Sequence, residues 1–205
     1  MHTTLTGKLV ALAAVAATVA TPIARGATPQ GGGASNVVVS HVRRDGAFSS
    51  RARTQLAQVA GPAVADRNIA SASATGCTGC HATAVAVQLL FVSGDPQYVA
   101  PENAAIAINA GCTSCGTFAY AWQYVLHVDR PTHLSAAAVL QEHELEQQIE
   151  ATATATQPDS LADDQALQER LDELTSELRD LVEQEIARGD LEPSGPPRLR
   201  SHVAF

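Results

Sequence analysis

Four cysteines in two Cys-x-x-Cys pairs, Cys77/Cys80 and Cys112/Cys115, are the residues of this chain best suited to chemistry. Sulfur at this spacing fits four reactions. The leading one is a structural disulfide in each pair: a β-turn holds its end Cα atoms within about 7 Å, and a disulfide wants about 4.4–6.8 Å. On that reading the bonds are Cys77–Cys80 and Cys112–Cys115, and each clamps its own turn for about 2 kcal/mol. The second is a tetrathiolate zinc site made by all four, since two such knuckles on turns are how zinc ribbons are built. The third is c-type haem attachment at Cys77-Thr-Gly-Cys80-His81. Cys115 is followed by Gly116 instead of His, and Met1 is the only methionine, so an axial Met ligand is missing. The fourth is a redox dithiol, for which a βαβ setting and a helix N-terminus would be expected. Neither is visible in the sequence.

The elements that must carry these cysteines are written twice. Asn68-Ile-Ala-Ser-Ala-Ser-Ala-Thr-Gly-Cys77-Thr-Gly-Cys80 returns as Asn103-Ala-Ala-Ile-Ala-Ile-Asn-Ala-Gly-Cys112-Thr-Ser-Cys115. Ala84, Ala86 and Gln88 reappear as Ala119, Ala121 and Gln123. Asn68, Gln88, Asn103 and Gln123 therefore define the repeat together with the cysteines, and a fixed period dominates the architecture. Asn36–Gly61 reads as a worn first copy, with Asp45-Gly46 near the place of the cysteine turn; Asp-Gly is a strong turn signal.

Around each cysteine pair the residues alternate with period two. Ala84, Ala86 and Gln88 lie opposite Val85, Val87, Leu89 and Phe91; Ala119, Ala121 and Gln123 lie opposite Phe118, Tyr120, Trp122 and Tyr124. That is a strand signal. The expected fold is α+β: antiparallel β-hairpin repeats of about six strands, then one or two C-terminal helices. The smooth alanine face suits close approach by another sheet or a helix. Asn and Gln at fixed places could also stack into ladders, as in fibrillar assemblies, although a closed domain is favoured over a fibre.

Residues 129–189 form an acidic helical region. Ser135–Ala151 has helix-forming composition, and Ser160–Arg188 is a longer helix punctuated by Ser160 and Gly189. Leu167, Leu171, Leu174, Leu178 and Leu181 step by four and three, which suits either self-association or packing on the repeats. Residues 190–205, with Pro193, Pro196 and Pro197, read as a mobile tail.

Met1–Ala24 reads as a secretory signal peptide: Lys8 precedes the apolar run Leu9–Ala20, which is too short to span a bilayer and is followed by Pro22. Residues 25–35 read as a flexible linker, and residues 36–128 as the three-copy repeat domain. The protein is expected to be secreted, with no stable membrane span after the signal is removed.

Sixteen of the 21 acidic residues fall between Glu142 and Glu192, which argues against nucleic acid as a partner. The only basic cluster is Arg43, Arg44, Arg51 and Arg53, read as a solvated strand face. No Gly-x-Ser-x-Gly elbow and no His-x-x-x-His pair occurs, so no catalytic residues are assigned and the chain is expected not to be an enzyme.

The pattern Asn-x-Ala-x-Ala, Cys-x-x-Cys, Ala-x-Ala-x-Gln, followed by an acidic leucine-rich helix, resembles a group of exported actinobacterial proteins with no assigned activity. Similar units occur attached to proteins described as peptide zinc metalloproteases. The resemblance covers Asn36 to about Arg188. It implies an extracellular structural or binding role, with a zinc-binding accessory or substrate of an exported metalloprotease as the alternative and an extracytoplasmic thiol–disulfide protein as a second. With no His-Glu-x-x-His in the chain, protease activity is not carried over.

Overall fold

The computed structural model describes residues 34–155 and 160–205. The expected signal peptide, and all of the expected linker except residues 34 and 35, lie outside the described residues. In chain order the elements are β1 (Asn36–Val42), β2 (Phe48–Ala60), β3 (Ala63–Val64), β4 (Arg67–Thr75), β5 (His81–Ser93) and β6 (Tyr98–Val99). Then come β7 (Glu102–Ala110), β8 (Gly116–Val128), α1 (Ala136–Ala155), α2 (Leu161–Arg188) and β9 (Arg198–Ala204).

The architecture is mixed α/β, and the expected antiparallel hairpins are not formed. The two strands of one copy do not pair with each other. Each pairs instead with its equivalent in the next copy, in parallel and in register: β1-β4-β7 make one sheet, β2-β5-β8 a second and β3-β6 a third. Each copy is thus one rung of a short β-solenoid, and successive rungs stack at the ~4.8 Å spacing of paired strands. Alternation settles which side chains share a face; it does not say which strand lies alongside. Here the two strands of a rung meet through their faces. Ala70, Ala72 and Ala74 pack against Ala82, Ala84, Ala86, Ala119 and Ala121, all buried. With so little bulk between them the two sheets can approach closely, as a smooth alanine face allows.

The other face of the β2-β5-β8 sheet carries the large residues. Val85, Val87, Leu89, Phe91, Phe118, Tyr120, Trp122 and Tyr124 pack with the helices into the main core. Leu167, Leu171, Leu174, Leu178 and Leu181 are all buried in that same core, so the leucine stripe is spent on intrachain packing. Ser160 caps α2, its hydroxyl accepting from the Asp163 N–H at 3.3 Å. Gly189, in the left-handed region at φ 81°, ends the helix. The fully buried carboxylate of Glu185 accepts from the Ser135 N–H and hydroxyl at 2.7 and 3.1 Å. This ties the end of α2 to the start of α1.

Two devices close the solenoid. The chain end, expected as a tail, is not free: β9 pairs antiparallel with β8, from Ala119↔Ala204 to Val125↔Arg198. The unpaired groups of β8 supply the reason, because a strand edge left open is a template for any extended segment. At the other end, Arg51 and Arg53 stand in register with Ala84 and Ala86. The arginines therefore occupy columns that alanine fills in the later rungs, yet both are exposed, and charge on an edge strand opposes stacking by another chain. Replacing both (Arg51→Ala with Arg53→Ala) is expected to produce concentration-dependent self-association. An unchanged mass by light scattering across the concentration range would show that the arginines do not guard the edge.

Candidate functional site

The repeat-defining polar residues form two internal ladders. The Asn36 side-chain amide donates to Asn68 Oδ1 at 2.9 Å, and that of Asn68 donates to Asn103 Oδ1 at 2.7 Å. Each amide also donates to carbonyls across the solenoid. Asn68 reaches Ala86 O at 3.0 Å and Trp122 O at 2.9 Å; Asn103 reaches Ala121 O at 3.0 Å. The glutamines repeat the arrangement: Gln123 donates to Gln88 Oε1 at 2.7 Å, and Gln88 to Gln55 Oε1 at 3.2 Å. Gln55 went unnoticed in the sequence, although it precedes Gln88 by 33 residues. The ladders form within one chain, where they bind rung to rung.

The three turns stack as well. Gly46 N–H donates to Thr78 O at 2.9 Å, and the Asp45 carboxylate accepts from the Thr78 N–H at 2.7 Å. Above them Gly79 N–H donates to Thr113 O at 2.9 Å, and Thr113 N–H to Cys77 O at 3.2 Å. Asp45-Gly46 is therefore the sulfur-free turn of rung 1. Gly76, Gly79 and Gly111 all sit at φ near 60°, as does Ser114 at 54°. That left-handed conformation is cheap for glycine.

This stacking brings all four cysteines together, with every Sγ within 4.8 Å of the others. Cys77 and Cys80 are disulfide-bonded, their Cα atoms 6.2 Å apart, and both are buried. Cys112 and Cys115 are free and half-buried, so the expected second bond is not made. The Cys115 sulfur turns toward the rung below: it lies 3.0 Å from Cys80 Sγ, 4.0 Å from Cys77 Sγ and 3.3 Å from Cys77 O. Cys112 Sγ is 3.9 Å from Cys77 Sγ. The hydrogen bond to Cys115 draws the Cys112 thiol below its ordinary range, while burial and the same bond push Cys115 up.

No family model, curated protein or solved structure matches this chain.

His81 begins β5 directly beneath Gly116. A Cβ at Gly116 would lie 2.6 Å from the His81 ring nitrogen Nδ1, so a larger residue there would force the His81 ring to turn away. Gly116, at the place where the second copy lacks the histidine, leaves room for the His81 ring. Both cysteines of the haem-like motif are joined to each other, and neither sulfur is open for a thioether.

Beside the turns lies a cleft of about 310 Å³ lined by His81, Cys115, Gly116, Ser160, Asp164 and Phe205, among others. Burial pushes the Asp164 carboxyl from 3.8 up to about 6; the negative charge of Asp163 adds to the shift and His81 opposes it. The folded chain therefore holds this proton more tightly than the unfolded chain. Its contribution to stability declines as pH rises from about 4 to about 6 and is flat above. Asp164→Asn should remove that slope, and with a partly solvated carboxyl the gain at neutral pH is limited to ~1 kcal/mol. Urea midpoints of both chains measured across this window check the prediction, and parallel curves would contradict it.

Among the described residues no helix is long and apolar enough to cross a membrane.

Proposed function

We propose that this chain is an exported, non-catalytic β-repeat module with a structural or binding role at or outside the cell surface. The observation that carries the reading is that the repeat's distinctive residues are consumed internally. Asn36, Asn68, Gln88, Asn103 and Gln123 are buried and spent on ladders, and the alanines on packing the two sheets together. The Cys77–Cys80 turn acts here as an oxidised clamp, which suits an export route. Export itself is supported by the charged, apolar and small-residue segments of Met1–Ala24 and by the resemblance to exported actinobacterial repeat proteins.

The test is the intact mass of the exported protein, alkylated before and after reduction and mapped without reductant. The expected result is a chain shortened near residues 20–27 in which Cys77 and Cys80 resist alkylation until reduced. Four thiols open to alkylation before reduction, or a Cys77 or Cys80 peptide joined to one from the next rung, would overturn the clamp reading.

A second reading is a zinc-binding accessory or substrate of an exported metalloprotease system: the clustering of all four sulfurs favours the zinc, and the metalloprotease comes from the resemblance alone. Metal analysis of the protein as isolated separates the two. The disulfide beside a free dithiol also fits a thiol–disulfide redox protein, for which turnover of a disulfide substrate is the discriminating assay.

A further inference from the structure

The clamp reading treats the two cysteine turns as separate devices, yet their geometry makes them one. We infer that the reduced chain holds a single soft divalent cation, with zinc the best match, between rungs 2 and 3, ligated by Cys77, Cys80, Cys112 and Cys115. Cys77 and Cys80 then alternate between two exclusive states, disulfide and metal thiolate.

Three observations point to one shared ion. First, a tetrahedral site with Zn–S bonds of about 2.3 Å places its sulfurs about 3.8 Å apart. Of the cross-rung distances, Cys77–Cys112 and Cys77–Cys115 are already 3.9 and 4.0 Å, while Cys80–Cys115, at 3.0 Å, opens as reduction releases the Cys80 sulfur. Second, the spacing does not depend on the sulfurs themselves. Gly76 N–H to Ala110 O, Gly79 N–H to Thr113 O, Thr113 N–H to Cys77 O and Gly116 N–H to Cys80 O lock the turns in register. The ligand frame is thus set by the backbone before any ion arrives, so little ordering cost remains for binding. Third, the site is closed below and open above. Cys80 is fully buried over the Asp45-Gly46 turn, whereas Cys115 faces the cleft that runs past Ser114 and Asn109. An ion or a small reductant can reach the sulfurs from that side.

The chemistry balances in two steps. A dithiol reductant gives two electrons and two protons to the Cys77–Cys80 bond and leaves as its own disulfide. The four thiols then exchange four protons for one M²⁺, forming a tetrathiolate of net charge −2. A dithiol at Cys112 and Cys115 alone offers two ligands, half of what a closed structural site uses, so the oxidised chain is a poor metal binder.

The experiment uses the full exported chain, reduced with a phosphine under anaerobic conditions and checked for retained strand content by circular dichroism. It is titrated with Zn²⁺, and separately with Co²⁺ as a spectroscopic probe. The expected result is one ion per chain, release of about four protons per ion at a pH where the thiols are protonated, and sulfur-to-cobalt bands of a tetrahedral tetrathiolate. The oxidised chain should take up none. Removing two ligands (Cys112→Ser with Cys115→Ser) should weaken binding by more than the ~10–100-fold that loss of an outer-shell partner costs. A folded, reduced chain that binds no ion, or two ions with one on each pair, would overturn the shared site. So would undiminished affinity in the double variant. These outcomes are independent of the clamp reading, which concerns the exported chain before any reductant is added.

Discussion

Asn68→Ala is expected to destabilise the fold by about 4 kcal/mol, more than the loss of any single hydrogen bond. Asn68 is fully buried in the middle of its ladder. It accepts from Asn36 on one side and donates to Asn103 on the other, and it also binds the Ala86 and Trp122 carbonyls. Each buried group left unsatisfied costs ~1–3 kcal/mol, and alanine strips partners from several at once. Neither end of the ladder binds rungs on both sides, so the central residue should matter most. For a domain of this size the loss corresponds to roughly 10 °C in melting temperature.

Asn68→Asp sharpens the test because it keeps the shape and removes the donors. A carboxylate cannot donate to Ala86 O or Trp122 O, and its burial raises its pKa in the folded state. The variant should therefore be weakest at neutral pH and recover part of its stability as pH falls and the group takes up a proton. Chemical denaturation of the three chains at neutral and acidic pH would decide the matter. A loss below about 1 kcal/mol for Asn68→Ala would mean that the ladder follows the fold and does not hold it.

Leu174→Ala is expected to cost about 3 kcal/mol, within the 2–5 kcal/mol typical of a buried leucine truncated in a packed core. Leu174 is completely buried, in the core that joins the helices to the aromatic face of the long sheet. Leu161 on the same helix is 60% exposed, and Leu161→Ala should shift stability by less than ~0.5 kcal/mol. The comparison also discriminates between uses of the stripe. If the leucines served contact between chains, Leu174→Ala would lower the sedimenting mass and leave the stability of the single chain unchanged.

Tyr120 supports the same junction from the sheet side. Its hydroxyl donates to Asp172 Oδ1 at 2.8 Å and lies 3.0 Å from Thr175 Oγ1. Burial pushes the phenol well above its ordinary range, opposed by Thr175 and reinforced by Asp172. A buried tyrosine hydroxyl usually finds a partner, and for Tyr120 α2 supplies both groups from positions three apart. Helix and sheet are therefore matched in polarity as well as in shape.

Much of the local structure was legible in the residues alone. Period-two alternation marked the strands, the Cys-x-x-Cys pairs and Asp45-Gly46 marked the turns, and Ser160 and Gly189 marked the ends of α2. The identity of Asn, Cys and Gln from copy to copy marked a repeat. These features depend on a residue and its near neighbours, through φ preference, capping and face periodicity. What tertiary structure alone decided is which strand lies beside which. A strand's alternation is the same whether its neighbour is the next strand along the chain or the next copy, so hairpin and stacked rung look alike in sequence. Stacking is the arrangement in which alanine faces fill the space between the two sheets of each rung, while matched Asn and Gln side chains bind their own kind in the next rung. The strand at Arg198–Ala204 was hidden for a related reason, since it forms against an edge that β8 provides. The meeting of four sulfurs follows from the same event: spacing placed two in each turn, and parallel stacking of the turns made them neighbours.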